Sequence, residues 1–192
     1  MELYDNFLSK EDFFLLRQTY CNLEFPWYWG PILHPMGSGY PDLPDKVQIQ
    51  HNWQACHTLY DEKEGKADSY NISPLNPLLE DERLNVSKLH RIKINLNPPT
   101  SLDREDRIKY FMHTDFCKEV HGFECTTGIL YLNTCNGYTQ FEDGTKVDCV
   151  ENRYVTFPSN TRHSGVSTTE QGMKVVINFN YTEGHGLSLI HI

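Results

Sequence analysis

Two histidines and an aspartate are spaced here as a metal triad would be. His113-Thr114-Asp115 is followed, 48 residues after Asp115, by His163. If the triplet lies in extended backbone, His113 and Asp115 face the same way and Thr114 points away. Two imidazoles and a carboxylate can then occupy one face of a divalent ion. That donor set, with the other positions open, suits iron(II) meeting a co-substrate and oxygen. A fourth protein ligand would instead mark a closed structural site. The His-x-Asp pattern alone is common by chance, and a surface or satisfied core histidine is the plain alternative for His113.

Eleven residues beyond His163, Lys174 interrupts the apolar run Met173-Lys174-Val175-Val176-Ile177. Two readings stand. The lysine faces water from an edge strand, or it is buried against an anion, because an unpaired buried cation is costly. In the second case it would receive the distal carboxylate of a dicarboxylate. Val176 and Asn178 share its strand face, and Tyr131, central in its own strand, can offer a hydroxyl to the same carboxylate. Arg162 should alternate away from His163, whereas His90 and His121 lack ligand spacing.

The elements that must position these groups are mostly strands. Leu3 to Leu8 reads as a short strand, and Ser9 as the N-cap of a helix burying Phe13, Leu16 and Tyr20 with Phe14 beside them. Residues 25–48 carry too many prolines for regular structure and predict an ordered aromatic loop, in which Trp27, Tyr28 and Trp29 either pack into the core or cover a substrate. A polar stretch over 62–70 precedes a short helix from Ser73-Pro74 toward Leu84. Leu89 to Leu96 alternates as a strand, and Asp103 to Lys109 reads as a charged loop. Strands follow at Thr127–Asn133, Tyr138–Phe141, Lys146–Val150, Tyr154–Phe157 and Val175–Phe179, with hairpin signals at Asn136-Gly137 and Asp143-Gly144. The series predicts a mainly β protein with flanking helices, a double-stranded β-helix or jelly roll. The helices of the first half should cover the outer face of one sheet.

The chain has 192 residues, 39% of them hydrophobic and 12% aromatic, enough for one packed domain. We read residues 1–186 as that domain, with helices and the aromatic loop over 1–88 and the jelly-roll core over 89–181. A net charge of -9 weighs against nucleic acid as a partner. No membrane span is expected, and with no secretory signal visible a cytoplasmic location follows, the host cytoplasm if the gene is viral. Six cysteines without a Cys-x-x-Cys pair are expected to be free thiols rather than zinc ligands. The final residues Leu187 to Ile192 look like a translated sequencing adapter, so the segment is expected to be non-native and His191 is left out of the site.

Together, Arg91-Ile-Lys-Ile-Asn-Leu96, His113-Thr-Asp-Phe116, Ile129-Leu-Tyr-Leu-Asn133, Gly137-Tyr-Thr-Gln-Phe141, Arg162-His-Ser-Gly165 and Lys174-Val-Val-Ile-Asn-Phe-Asn-Tyr181 resemble the iron(II)- and 2-oxoglutarate-dependent oxygenases. The type is prolyl-4-hydroxylase-like, in the variants found in phage and environmental sequences. The resemblance covers Leu89 to Tyr181, nearly half the chain. It implies iron(II) held by His113, Asp115 and His163, with 2-oxoglutarate and oxygen as co-substrates. It implies Lys174 on the 2-oxoglutarate side-chain carboxylate, where many relatives carry arginine, with Tyr131 assisting. The chain departs from the pattern at Asn136-Gly137-Tyr138, where relatives often have Gly-Gly. The reaction implied hydroxylates an unactivated C–H bond and yields succinate and carbon dioxide. The substrate expected is a peptidyl proline or another protein side chain. The alternatives are a nucleobase or small metabolite, or a metal-binding interaction module without turnover.

Overall fold

The computed structural model describes residues 1–33, 44–116 and 122–184, without the side chains of residues 45, 48, 49 and 69. His121, Cys117, Pro35, Pro41 and the 187–192 tail lie outside the described residues. Eleven strands are described: β1 (Glu2–Tyr4), β2 (Tyr28–Gly30), β3 (Gln54–Asp61), β4 (Lys66–Ala67), β5 (Val86–Asn97), β6 (Thr126–Tyr131), β7 (Tyr138–Phe141), β8 (Lys146–Asp148), β9 (Tyr154–Pro158), β10 (His163–Val166) and β11 (Lys174–Glu183). The helices are α1 (Lys10–Tyr20), α2 (Asp45–His51), α3 (Ser69–Ile72), α4 (Asn76–Leu79) and α5 (Arg104–Phe111), with a 3-10 turn at Ser73–Leu75.

Strands pair antiparallel into a major sheet, β1-β9-β6-β11-β5-β3-β2 with β4 on β3, and a minor sheet, β10-β7-β8. The sheets face each other as the expected jelly roll. Ile129, Tyr131, Val155 and Val176 from the major sheet meet Phe141 and Val147 from the minor one, with Cys149 just beyond β8. The outer face of the major sheet carries the helices: Phe13, Leu16 and Tyr20 of α1 join Ile92, Ile94, Ile177 and Phe179 in a second core. That core unites the N-terminal segment with the jelly-roll strands. Among the described residues no helix is long and apolar enough to cross a membrane.

Local expectations are met in part. The Ser9 hydroxyl accepts from the Asp12 N–H at 3.0 Å, the capping bond that starts α1. Phe14, however, is 64% exposed, on the helix face that points away from the sheet. The 25–48 segment is not wholly irregular, for β2 and the start of α2 form within it. Pro44 is the N-cap of α2, a position where its missing N–H costs nothing. Phe25 is buried and Trp27 packs against the helical core, while Tyr28 and Trp29 are exposed on an edge strand.

Two turn or loop expectations need correcting. Asp103 to Lys109 is not a charged loop: the Asp103 carboxylate accepts from the Glu105 N–H at 2.8 Å and caps α5. Asn136-Gly137 is not a hairpin, because β6 and β7 belong to different sheets. The Asn136 side-chain oxygen instead accepts from the Thr168 hydroxyl at 2.8 Å and the Thr169 N–H at 3.0 Å, tying the crossover to the loop before β11. Asp143-Gly144 does turn β7 into β8, with Gly144 at φ +90, where glycine carries no Cβ penalty. The five described cysteines are free thiols.

Candidate metal centre

His113 lies just beyond α5 and His163 opens β10, and the two form an isolated antiparallel bridge. The His113 N–H donates to the His163 carbonyl at 2.9 Å, and the return bond is 2.8 Å. The Asp115 N–H then donates to the Ser159 carbonyl at 3.1 Å. Backbone pairing alone therefore sets both ends of the triad against the β9–β10 turn. The ligand atoms of His113, Asp115 and His163 all lie within 4.8 Å of one another, so one ion among them is in reach of all three.

The rest of each side chain is tied down. His113 Nδ1 donates to the Phe111 carbonyl at 2.8 Å and His163 Nδ1 to the Thr161 carbonyl at 3.0 Å. A carbonyl can only accept, so each Nδ1 carries a proton, which leaves Nε2 as the ring atom that can face a metal. Asp115 Oδ2 accepts from the Thr127 hydroxyl at 3.0 Å and from Asn180 Nδ2 at 3.3 Å. Oδ1 faces His113 Nε2 at 3.9 Å and accepts from Arg91 at 3.4 Å.

Burial, reinforced by repulsion from His163, holds the His113 imidazole down to about 4, so the ring is neutral at pH 7. For Asp115, burial pushes the carboxyl up, but His163, Arg91, His113 and the Thr127 hydroxyl together outweigh it and hold the group below the usual carboxylate range. A neutral His113 imidazole and an ionised Asp115 carboxylate are the states a metal needs of these two ligands. The donor set thus fits iron(II), with one face left to other ligands.

Lys174 opens onto the same cavity as the triad and is only 2% exposed. Its Nζ donates to the Tyr138 carbonyl at 2.6 Å and the Val166 carbonyl at 3.3 Å. Burial lowers its pKa to about 8. It is not the edge-strand lysine of the alternative reading. β11 is interior to the major sheet, paired with β5 on one side and β6 on the other. Val176 and Asn178 line the cavity beside it, as their shared strand face requires. Tyr131 is fully buried but is not among the lining residues. Its hydroxyl meets the Thr139 hydroxyl at 2.7 Å, and Thr139 lines the cavity.

Several cavity groups went unassigned by sequence reasoning. Arg91 and Lys93 of β5 line it, as does Arg107 of α5, whose Nε donates to the Gly165 carbonyl at 3.0 Å. Thr127 and Asn180 hold Asp115, and the Asn180 side-chain oxygen also accepts from Arg91 at 3.0 Å. For Arg91 and Lys93 the signal was the strict polar alternation Arg91, Lys93, Asn95, Asn97 in β5. Of the residues set aside, His90 is buried between Glu62 and Thr182, and Arg162 is exposed and paired with Glu142.

No protein-family profile and no curated protein matches the chain. Solved structures share its fold. One is an oxidoreductase of the 2OG-Fe(II) oxygenase family from Burkholderia pseudomallei, with 12% identity, 95% of this chain and 84% of that one covered, and a TM-score of 0.61. Another is a prolyl hydroxylase from Trichoplax adhaerens in complex with a hypoxia inducible factor oxygen degradation domain peptide fragment, with 19% identity, 95% and 83% covered, and a TM-score of 0.58. A Pseudomonas putida prolyl-4-hydroxylase has 13% identity, 95% and 92% covered, and a TM-score of 0.55. At these identities the likeness defines the class of fold, the jelly roll that such oxygenases use.

Proposed function

We propose that this chain is an iron(II)- and 2-oxoglutarate-dependent oxygenase that hydroxylates an unactivated C–H bond, with conversion of 2-oxoglutarate to succinate and carbon dioxide. One observation carries the reading. A three-ligand site, its other polar atoms capped, opens on the same cavity as a buried lysine that, among the described residues, hydrogen-bonds two carbonyls and makes no ion pair. A non-catalytic metal module has no need of that lysine, whose burial carries a desolvation cost.

His113, Asp115 and His163 would hold the iron, which when bound supplies the oxygen chemistry that no side chain can perform. Lys174 has three N–H donors, and two already point to carbonyls. The third is left for the distal carboxylate of 2-oxoglutarate. Asn178 lines the cavity four residues further along β11, on the same strand face. Tyr131 supports this end through Thr139. The apolar walls, Ile32 and Phe111 at one side and Ile129 and Val176 at the other, restrict water around the reacting atoms.

Given iron(II), 2-oxoglutarate and oxygen, the protein should release succinate, and His163→Ala should release none. Folded wild-type protein that forms no more succinate than the variant would refute the proposal.

A further inference from the structure

The cavity holds more positive charge than iron and 2-oxoglutarate can use. Among the described residues, Arg91, Lys93, Arg107 and Lys174 line it against one carboxylate, Asp115. The two negative charges of 2-oxoglutarate offset the two positive charges of the metal, so the four-to-one imbalance persists with both bound. Buried cations are normally paired.

The cations form two groups. Lys174 is repelled by Arg107, and Lys93 by Arg91. Across the β5–β11 ladder Lys174 stands opposite Asn97, whereas Lys93 stands opposite Asn178. Four residues of β5 separate those positions, roughly 13 Å at the usual strand rise. Lys174 thus marks one end of the cavity, and the second group lies at the metal end, where Arg91 reaches Asp115 and Lys93 feels the same carboxylate. At the second group Arg91 is committed to Asp115 and Asn180. Lys93 meets the Cys56 thiol and makes no ion pair among the described residues.

The same floor presents unmet acceptors. Asn95 is 8% exposed, and its side-chain oxygen has no donor among the described residues; nor has the Asn178 oxygen, across the ladder from Lys93. A buried acceptor without a donor carries a desolvation cost, which a ligand hydroxyl or amide N–H removes.

Resting on the oxygenase reading, we infer that the substrate is itself a compact anion. Its carboxylate or phosphate pairs with Lys93, and its hydroxyl or N–H groups bind Asn95 and Asn178. This selects a small acidic molecule over a neutral prolyl peptide.

Equilibrium dialysis tests this with radiolabelled inorganic phosphate and radiolabelled acetate. The protein is saturated with manganese(II) and 2-oxoglutarate, and a parallel arm omits both. We expect one of the two probes to bind in both arms. Lys93→Met should weaken it at least tenfold and Lys93→Arg should restore it, while 2-oxoglutarate affinity stays within about twofold. The probe retained tells whether the substrate carries phosphate or carboxylate. Lys174→Met should give the converse, lost 2-oxoglutarate binding with the probe retained. The inference is overturned if neither probe binds, if folded Lys93→Met binds as wild type does, or if both probes merely displace 2-oxoglutarate. If 2-oxoglutarate fails to bind but a Lys93-dependent anion does in the second arm, the oxygenase reading falls and the anion site stands.

Discussion

Asp115 shows how single side chains set this site. Its ionised carboxylate is buried, yet Oδ2 is occupied by Thr127 and Asn180, so its rotamer is fixed before any metal arrives. Groups that orient a metal ligand typically contribute 10–100-fold to metal affinity. Thr127→Val keeps the side-chain shape and removes the donor. It should weaken iron(II) binding by about that factor in an anaerobic competition titration against a chelator; unchanged affinity would show that Asp115 is held by packing alone. Lys174 supplies a pH signature. Burial lowers its pKa to about 8, and only the protonated form can receive a carboxylate. Binding should therefore take up a proton above that pH, and 2-oxoglutarate affinity should fall as pH rises, by up to about tenfold per unit. Calorimetry on either side of pH 8 checks this, and a flat profile would remove Lys174 from the carboxylate site.

At the scale of the element, β5 and β11 are each covered on both faces. Ile92, Ile94, Ile177 and Phe179 pack under the helices, while Arg91, Lys93, Asn95 and Lys174 turn into the barrel. The usual reading of an alternating strand sends its polar face to water, and here that reading inverts. The triad and Lys174 were legible because their residue types are informative in themselves. Lys93, Asn95 and Arg107 were not, since alternation gives a period without saying which face is outside, and a capped helix at Asp103 looks like a charged loop. Asn136-Gly137 misled for a related reason: turn chemistry is local, whereas the change of sheet is decided by packing. Close packing makes a separate prediction at Gly128 of β6. A Cβ there would lie 1.8 Å from the Tyr154 hydroxyl oxygen, so the ring must move or the sheet must bend. Gly128→Ala should cost about 1–3 kcal/mol in denaturant unfolding; a loss below a few tenths would mean that Tyr154 rotates freely.

Over the whole molecule, charge is partitioned by depth. The chain carries a net -9, yet among the described residues four cations line one internal cavity with a single carboxylate. An acidic exterior repels polyanions, while the interior favours compact ones. Two apolar cores brace the major sheet from opposite sides, so the cavity walls are held independently of what binds there. The central claim is that iron and 2-oxoglutarate share this cavity, through His113, Asp115 and His163 at one end and Lys174 at the other. The measurement that addresses it most directly is an anaerobic titration of the protein with iron(II) and 2-oxoglutarate, followed in the visible spectrum. A weak charge-transfer band should appear that needs both additions, is absent in Asp115→Ala, and in Lys174→Ala requires at least tenfold more 2-oxoglutarate. A band that persists in Asp115→Ala, or no band from folded wild-type protein, would contradict that claim.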